Sequence, residues 1–270
     1  MQAPAVALRD RVVQYRSYSE TFAPPYRHLE LARGQVVMVI GSGAPLRLQS
    51  EGAVQGHHSF VVGPDHRPLF AEFTGPRACI EIILPPWAAR ELLGEPVLEL
   101  GGRPAPLDEL LGAEAQRLGL QLAATRSGSE RFALLDSFFR RRAARAGREA
   151  RAEIRWAWAR LAAAGGALPV ADLSRTLGWS HRHFVARFRE HTGLTPKAAA
   201  RWLRLGRAAE LLRQDPRVAL GGVAAACGYA DQSHFTREFR ALGGCTPRAY
   251  RHHLEHAARR VTFVQDAHPP

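Results

Sequence analysis

Two short segments in the last hundred residues carry side chains suited to hydrogen bonding with a nucleic acid. Guanidinium groups pair with phosphates and with guanine, amide side chains pair with adenine, and small apolar side chains contact the thymine methyl group. Residues of these types lie close together in both segments. The candidate contact residues are Arg182, Val185, Ala186, Arg187, Gln232, Ser233, His234 and Arg237. We expect each group to lie on the outer face of a short helix, because core phenylalanines four residues apart define the opposite face.

The two segments are copies of one internal repeat. The first copy contains Gly178-Trp179-Ser180, Phe184, Phe188-Arg189, Gly193 and Thr195-Pro196. The second copy contains Gly228-Tyr229-Ala230, Phe235, Phe239-Arg240, Gly244 and Thr246-Pro247. The later elements lie 51 residues apart and the first glycines 50 residues apart, so the second copy has one extra residue in its turn. One helix–glycine–helix pattern is common, whereas two at a nearly constant offset are specific.

Each copy has the features of two helices joined by a tight turn. A glycine ends the first helix, because a positive φ costs little only for glycine. Ser180 in the first copy and Asp231 in the second are the predicted N-caps of the following helix. This is the helix-turn-helix plan, in which the second helix is offered to a major groove of DNA.

The remainder of the C-terminal half is predicted to be helical almost throughout. Helices are expected near 151–164, 170–177, 181–191, 196–213, 220–226, 232–242 and 247–255. The helix from about Lys197 to Arg213 would join the two units as a rigid strut, with Gly206 as its only weak point.

Together these residues resemble the C-terminal domain of the AraC/XylS family of transcription regulators, over roughly Ile154 to His253. The second copy is the closer match, through Gly228-Tyr229-Ala230-Asp231-Gln232-Ser233-His234-Phe235, Arg237, Phe239-Arg240 and Gly244-Cys245-Thr246-Pro247. The stretch Arg204-Leu205, Ala208 and Leu211-Leu212 looks like the family's linker helix. The resemblance implies a sequence-specific DNA-binding domain with two helix-turn-helix units.

The first unit departs from the family pattern at one position. The family often has arginine two residues before the last core phenylalanine, where this sequence has Ala186 with Arg187 beside it. The first recognition helix is therefore expected to bind DNA more weakly than the second, or differently.

Charge placement favours the same partner. The formal net charge is +12, of which +9 lies between residues 151 and 258. A polyanion such as double-stranded DNA is thus expected at the C-terminal half. No apolar run reaches the roughly 18 residues that span a bilayer, and the first residues do not resemble a signal peptide. We therefore expect a cytoplasmic protein with no membrane partner.

The front half has a different pattern, in which short apolar runs between residues 10 and 85 alternate with turn residues and predict a small β-barrel or sandwich. Beyond it, helices are predicted at Trp87 to Leu93, at Leu107 to Leu122, and at Glu130 to Ala146 with Ser129 as the N-cap. The best linker candidate is the arginine-rich stretch 140–148. The predicted fold class is α+β, with a cupin-like β-barrel and helices over 1–147, an all-α domain over 148–258 and a tail over 259–270. The two units would occupy about 170–191 and 220–242.

The front half also resembles the sensor-like domain found on a subset of AraC-type regulators. The matching residues are Phe60-Val61-Val62-Gly63-Pro64, the run from Pro86 to Pro96, and Leu107-Asp108-Glu109-Leu110-Leu111-Gly112. The resemblance implies a cupin-like barrel followed by helices that could form the interface of a homodimer.

An enzyme is the competing class, because cupin barrels can hold catalytic metals. The possible ligands are His28, His57, His58 and His66. Metal-binding cupins usually place two histidines one residue apart, whereas neighbours such as His57 and His58 point to opposite faces of a strand. We found no nucleophile–base motif or phosphate-binding glycine loop, so no catalytic, metal or cofactor site is predicted.

The prediction is therefore a DNA-binding transcription regulator that responds to a small-molecule effector through its front domain. RNA polymerase is a candidate partner. The alternative is a regulator without an effector, whose front domain serves only in dimerisation or in protein contacts.

Overall fold

The computed structural model describes residues 3–50, 52–94, 100, 102–125, 127–147 and 150–258. The predicted tail at 259–270 and the last residue of the predicted linker, Arg148, lie outside the described residues. Within that part of the chain, a sheet with helices forms the front half and helices alone form the C-terminal half. This agrees with the predicted α+β class.

The front half is built on one barrel-like sheet of seven antiparallel strands. Their bounds are β1 Gln14–Glu30, β2 Val36–Gly43, β3 Leu46–Ser50, β4 Ala53–His57, β5 Phe60–Val62, β6 Leu69–Leu84 and β7 Ala105–Pro106. Strand β6 organises the sheet: one of its edges pairs with β1, and its other edge pairs first with β3 and then with β2. Strand β4 pairs with β3, β5 pairs with β2, and β7 pairs with β5, which extends the sheet on both sides.

Both faces of this sheet are covered. Successive side chains along a strand point to opposite faces, and here they pack into two different cores. Val36, Met38 and Ile40 belong to a core shared with the helices. Val39, on the opposite face, packs with Phe60 and other buried side chains inside the barrel.

Four helices accompany the sheet, and β7 lies between the first two of them: α1 Pro86–Leu93, α2 Leu107–Leu111, α3 Ala113–Ala124 and α4 Gly128–Arg145. The single helix predicted over Leu107 to Leu122 is wrong, because Gly112 has a φ of 53° and separates two helices there. The predicted N-cap at Ser129 is also wrong, because α4 begins at Gly128, two residues before the predicted start at Glu130, and its N-cap position is Ser127. Helix α4 continues to Arg145, so most of the predicted linker is helical.

The C-terminal half contains the predicted succession of helices. They are α5 Ala152–Ala163, α6 Val170–Thr176, α7 His181–Thr192, α8 Pro196–Gln214, α9 Leu220–Ala226, α10 Gln232–Gly243 and α11 Pro247–Ala258. Helices α6 and α7 form the first helix-turn-helix unit, α9 and α10 form the second, and α8 joins them.

The front half packs directly against this helical domain. Leu29 and Leu31, at the end of β1, belong to the core of the second unit. Gly206 of α8 is buried, and a Cβ atom added there would lie 2.9 Å from the Cα atom of Arg33. Gly206 is thus a point of close approach between the backbone of the front half and the linker helix, and its absent side chain permits that approach.

Candidate nucleic-acid interface

The turns of the two units have the predicted local geometry. Gly178 and Gly228 have φ values of 66° and 74°, in the left-handed region that glycine adopts at little cost. The Ser180 hydroxyl accepts a hydrogen bond of 3.3 Å from the backbone N–H of His183. In the second unit the Asp231 carboxylate accepts one of 2.6 Å from the N–H of His234. Both predicted N-caps are confirmed.

The phenylalanine pairs fix which face of each recognition helix is buried. The rings of Phe184 and Phe188 lie 5.6 Å apart, and those of Phe235 and Phe239 lie 5.5 Å apart, both edge to face. All four side chains are fully buried. The opposite face of each helix must therefore point away from the core.

The predicted contact residues lie mainly on that outer face. Arg182 and Ala186 are exposed and Val185 is half-buried on α7. Gln232, Ser233 and Arg237 are exposed on α10. The structure thus brings these six side chains to the surface in two groups, one on each recognition helix.

His234 differs from its neighbours, because it also packs within the turn. It is half-buried, and its ring meets Tyr229 edge to face at 5.4 Å. The first unit repeats this contact between His183 and Trp179, with ring centroids 4.7 Å apart. His183 lies 51 residues before His234, so the repeat offset could have identified this counterpart. For His234, contact with DNA stays a prediction.

Arg187 lies on a flank of α7, between its buried and outer faces, and is half-buried. Its guanidinium forms an ion pair of 2.7 Å with Glu190, one turn further along. The carbonyl oxygen of Glu190 accepts a hydrogen bond of 2.8 Å from Arg90 of α1. Contact between Arg187 and DNA also stays a prediction.

Glu238 occupies the equivalent position in the second unit and was not identified from the sequence. Its carboxylate, on a side chain only 9% exposed, forms ion pairs of 3.0 Å with Arg201 and 3.1 Å with Arg204 of α8. Arg204 also donates to the carbonyl oxygen of Gly166 and lies over the Tyr229 ring. Burial and the nearby Glu238 carboxylate both raise the pKa of Tyr229, so its hydroxyl stays neutral. This network fixes α10 against the linker helix.

The two units are held at a fixed separation by close packing. Helix α8 has 19 residues, which gives a length of about 28 Å at 1.5 Å per residue. A side chain at Gly166 would collide with the carbonyl oxygen of Ala200, and one at Gly228 would lie 2.9 Å from the Cβ atom of Ala167. The loop after α5 is therefore wedged between α8 and the turn of the second unit.

Among the described residues, the front half contacts both recognition helices near their C-terminal ends. Arg90 bonds to Glu190 at the end of α7. Leu31 and Pro68 lie next to Gly243 and Gly244 at the end of α10. The outer faces that carry Arg182 and Arg237 stay exposed.

Of the four histidines weighed as metal ligands, His58 is exposed and the other three are buried or half-buried. His28 pairs with Glu30 at 2.7 Å, and the ring nitrogen Nδ1 of the buried His66 lies 2.9 Å from the carbonyl oxygen of Arg67. Burial lowers the pKa of His57 and of His66. The part of the chain that the structure describes holds no cluster of three or more side chains suited to a metal ion. In that same part, no helix is both long and apolar enough to cross a bilayer.

Two recognition helices with exposed polar outer faces, joined by one rigid helix, define a double helix-turn-helix DNA-binding domain. Residues 173–253 match the family described as "Helix-turn-helix domain". The HTH-type transcriptional activator RhaR of Pectobacterium atrosepticum is 42% identical over 73 residues, which are 27% of this chain and 25% of RhaR. The probable transcriptional regulator LumQ of Photobacterium leiognathi is 36% identical over 85 residues, which are 31% of this chain and 33% of LumQ.

Residues 173–253 therefore form a helix-turn-helix domain of the AraC type. The match spans between a quarter and a third of these curated relatives, whose names describe transcription regulators. Among solved structures, ToxT from Vibrio cholerae covers 89% of this chain and 98% of its own, with a TM-score of 0.49 and 12% identity. A transcriptional regulator from Chromobacterium violaceum, described as an AraC-type DNA-binding protein, covers 38% of this chain and 91% of its own, with a TM-score of 0.35 and 27% identity.

Proposed function

We propose that this protein is a transcription regulator that binds double-stranded DNA by placing α7 and α10 in successive major grooves. The observation that carries the proposal is the repeated unit. In each copy a pair of buried phenylalanines fixes one face of the recognition helix in the core, so that its opposite, polar face is exposed. A major groove returns to the same side of the duplex after about 34 Å. A rigid strut of about 28 Å, with a recognition helix beyond each end, suits that distance.

Salt dependence and footprinting of the full-length protein test this proposal. One chain should protect two short patches separated by about one helical turn, and affinity should fall steeply with salt. Each neutralised phosphate contributes roughly −0.9 to the slope of log K against log salt. A slope near zero, or no binding at low salt, would contradict the proposal.

For the front half we propose a response to a small molecule. A cleft of about 360 Å³ lies between α1, the end of α4 and the connector, and is lined by Arg90, Glu91, Gly94, Arg142, Arg145, Ala146 and Gly147. Its volume falls in the range of small-molecule sites. Arg90 also bonds to α7, so a ligand in this cleft would act on the contact between the front half and the first recognition helix.

The alternative, a front half used only for dimerisation or protein contacts, is favoured by the packing inside the barrel. Phe60, Phe73 and Leu48 are among the side chains that fill it. Arg77 is buried, and its guanidinium donates to the carbonyl oxygens of Ala44, His57 and His58. The Arg77 guanidinium at this end of the barrel is thus satisfied by backbone carbonyl oxygens without a ligand.

Thermal unfolding of the full-length protein with a library of metabolites separates the two proposals. A compound that raises the melting temperature and changes DNA affinity supports the effector, and an Arg90→Ala substitution should weaken that response. If no compound acts while DNA binding is intact, the alternative stands.

A homodimer, contact with RNA polymerase and a cytoplasmic location complete the proposal. Sedimentation with and without operator DNA tests the first of these.

A further inference from the structure

The outer faces of the two recognition helices differ in the position of one arginine. At the repeat offset of 51 residues, Arg237 corresponds to Ala186, and Ser233 corresponds to Arg182. Apart from a matched pair near the helix ends, Arg189 and Arg240, each outer face has one arginine. The arginine of the first unit lies four residues, or about one helical turn, closer to the N-terminus of its helix.

Both arginines are available for a partner. Arg182 and Arg237 are exposed, and within the described part of the chain neither forms an ion pair. Arg175 and Arg187 in the first unit, by contrast, pair with Asp172 and Glu190. Arg182 lies in the first turn of α7, just after the N-cap Ser180. In helix-turn-helix proteins, residues near the N-terminus of the recognition helix contact the base edges.

The side chains around the shifted arginine are small. Where the second unit has Thr236 and Arg237, the first has Val185 and Ala186. Small apolar side chains let a helix lie deeper in the groove and suit contact with a thymine methyl group. The first unit therefore has a surface that can contact bases, with its arginine moved towards one end.

We propose that each unit recognises one guanine through one arginine, Arg182 in the first unit and Arg237 in the second. The two guanines are consequently not one whole helical turn apart. This inference rests on the proposed function. Four residues of helix correspond to about 6 Å, or up to about two base pairs at 3.4 Å each. The separation between the two guanines should therefore differ by up to about two base pairs from the usual 10 to 10.5 base pairs.

Selection from a pool of random duplexes with the full-length protein tests the spacing. The native chain should enrich two guanines at the shifted separation. Arg182→Ala should lose the preference for one guanine and Arg237→Ala the preference for the other. Each should weaken binding to the selected site by about 5- to 150-fold, the range for a bidentate arginine–guanine contact. Arg189→Ala, an exposed arginine that both units share, should weaken all sequences alike.

The double variant Arg182→Ser with Ala186→Arg is the sharper experiment. It gives the first unit the residues that the second has at these positions, so the first guanine should move by about two base pairs and the separation should return to a whole turn. Melting curves verify that the variants fold, which is expected because these side chains are exposed. An unmoved guanine, or equal loss on all sequences for Arg182→Ala, would overturn the inference. If the native chain binds no duplex, the proposed function itself fails.

Discussion

The two helix-turn-helix units have nearly the same interior and different attachments. Both have a left-handed glycine, an N-cap and a buried phenylalanine pair with centroids about 5.5 Å apart. At one equivalent position, however, the first unit has Arg187, paired within its own helix, and the second has Glu238, paired with the linker helix. The interior of such a unit is constrained by its own packing, whereas its flanks are free to acquire different partners.

The two units also belong to different hydrophobic cores, so each depends on a separate part of the molecule. Phe184 and Phe188 of the first unit belong to a core that continues into the front helices. Phe235 and Phe239 of the second unit belong to a core that includes Leu29 of β1 and Leu31, just after it. Substitutions placed at equivalent positions can show how far the two units act separately.

Removal of a core phenylalanine should have the largest effect. Phe184→Ala and Phe235→Ala should each lower the free energy of unfolding by about 3–5 kcal/mol, because both leave a cavity in a fully buried site. Urea unfolding measures this loss, and Phe235→Leu should cost less. In the footprint, each alanine variant should weaken its own patch first. Simultaneous loss of both patches from either variant would show that the units do not act separately.

A break in the linker helix should come next. Arg207→Pro removes a backbone donor within α8 and should cost about 3 kcal/mol or more. It should also abolish the joint protection of two grooves, while Arg207→Ala, at the same exposed position, keeps it. Footprinting of the folded variant supplies the measurement, and two unchanged patches would refute the rigid-strut model.

The two flanks should differ in their contribution to stability. Glu238→Ala leaves Arg201 and Arg204 without their carboxylate in a mostly buried network, and should cost about 1–3 kcal/mol. Arg187→Ala breaks a more exposed pair within one helix and should cost about 0.5 kcal/mol or less. Chemical unfolding of both variants gives the comparison. Equal losses would mean that the second unit is not fixed to α8 more firmly than the first is to its surroundings.

The smallest difference between the two units is expected at the N-caps. Ser180→Ala and Asp231→Ala should each cost about 1 kcal/mol, because each removes the acceptor for a backbone N–H of its recognition helix. The aspartate variant should lose a few tenths more, since its negative charge also faces the positive end of the helix. Thermal melts at low salt resolve this difference, and a larger loss at Ser180 would reverse the ranking.

The sequence predicted the C-terminal helices closely, because their ends are defined locally. Gly178, Ser180 and Asp231 act within a few residues of themselves, so their roles can be inferred without knowledge of the tertiary structure. The outer faces followed from the phenylalanine spacing for the same reason. His183 could have been found by the repeat offset alone.

The parts that could not be predicted depend on contacts between distant residues. Glu238 meets Arg201 and Arg204 across more than thirty residues of chain, and no local pattern identifies such a partner. Gly112 lies within an apolar helical pattern, and only its positive φ shows that the helix ends there. From the sequence alone Gly206 is a weak point of the strut, whereas the structure shows a site of close contact with Arg33.

That contact has a consequence for the exchange of domains between regulators. A chimera that keeps α8 but receives another front half must also receive a backbone that fits against Gly206, since even a methyl group there would meet the Arg33 backbone. Compatibility would then be decided where the two surfaces meet, and not by the length or composition of the connector. Engineering that treats the halves as interchangeable parts should transplant the segment around Arg33 together with the linker helix.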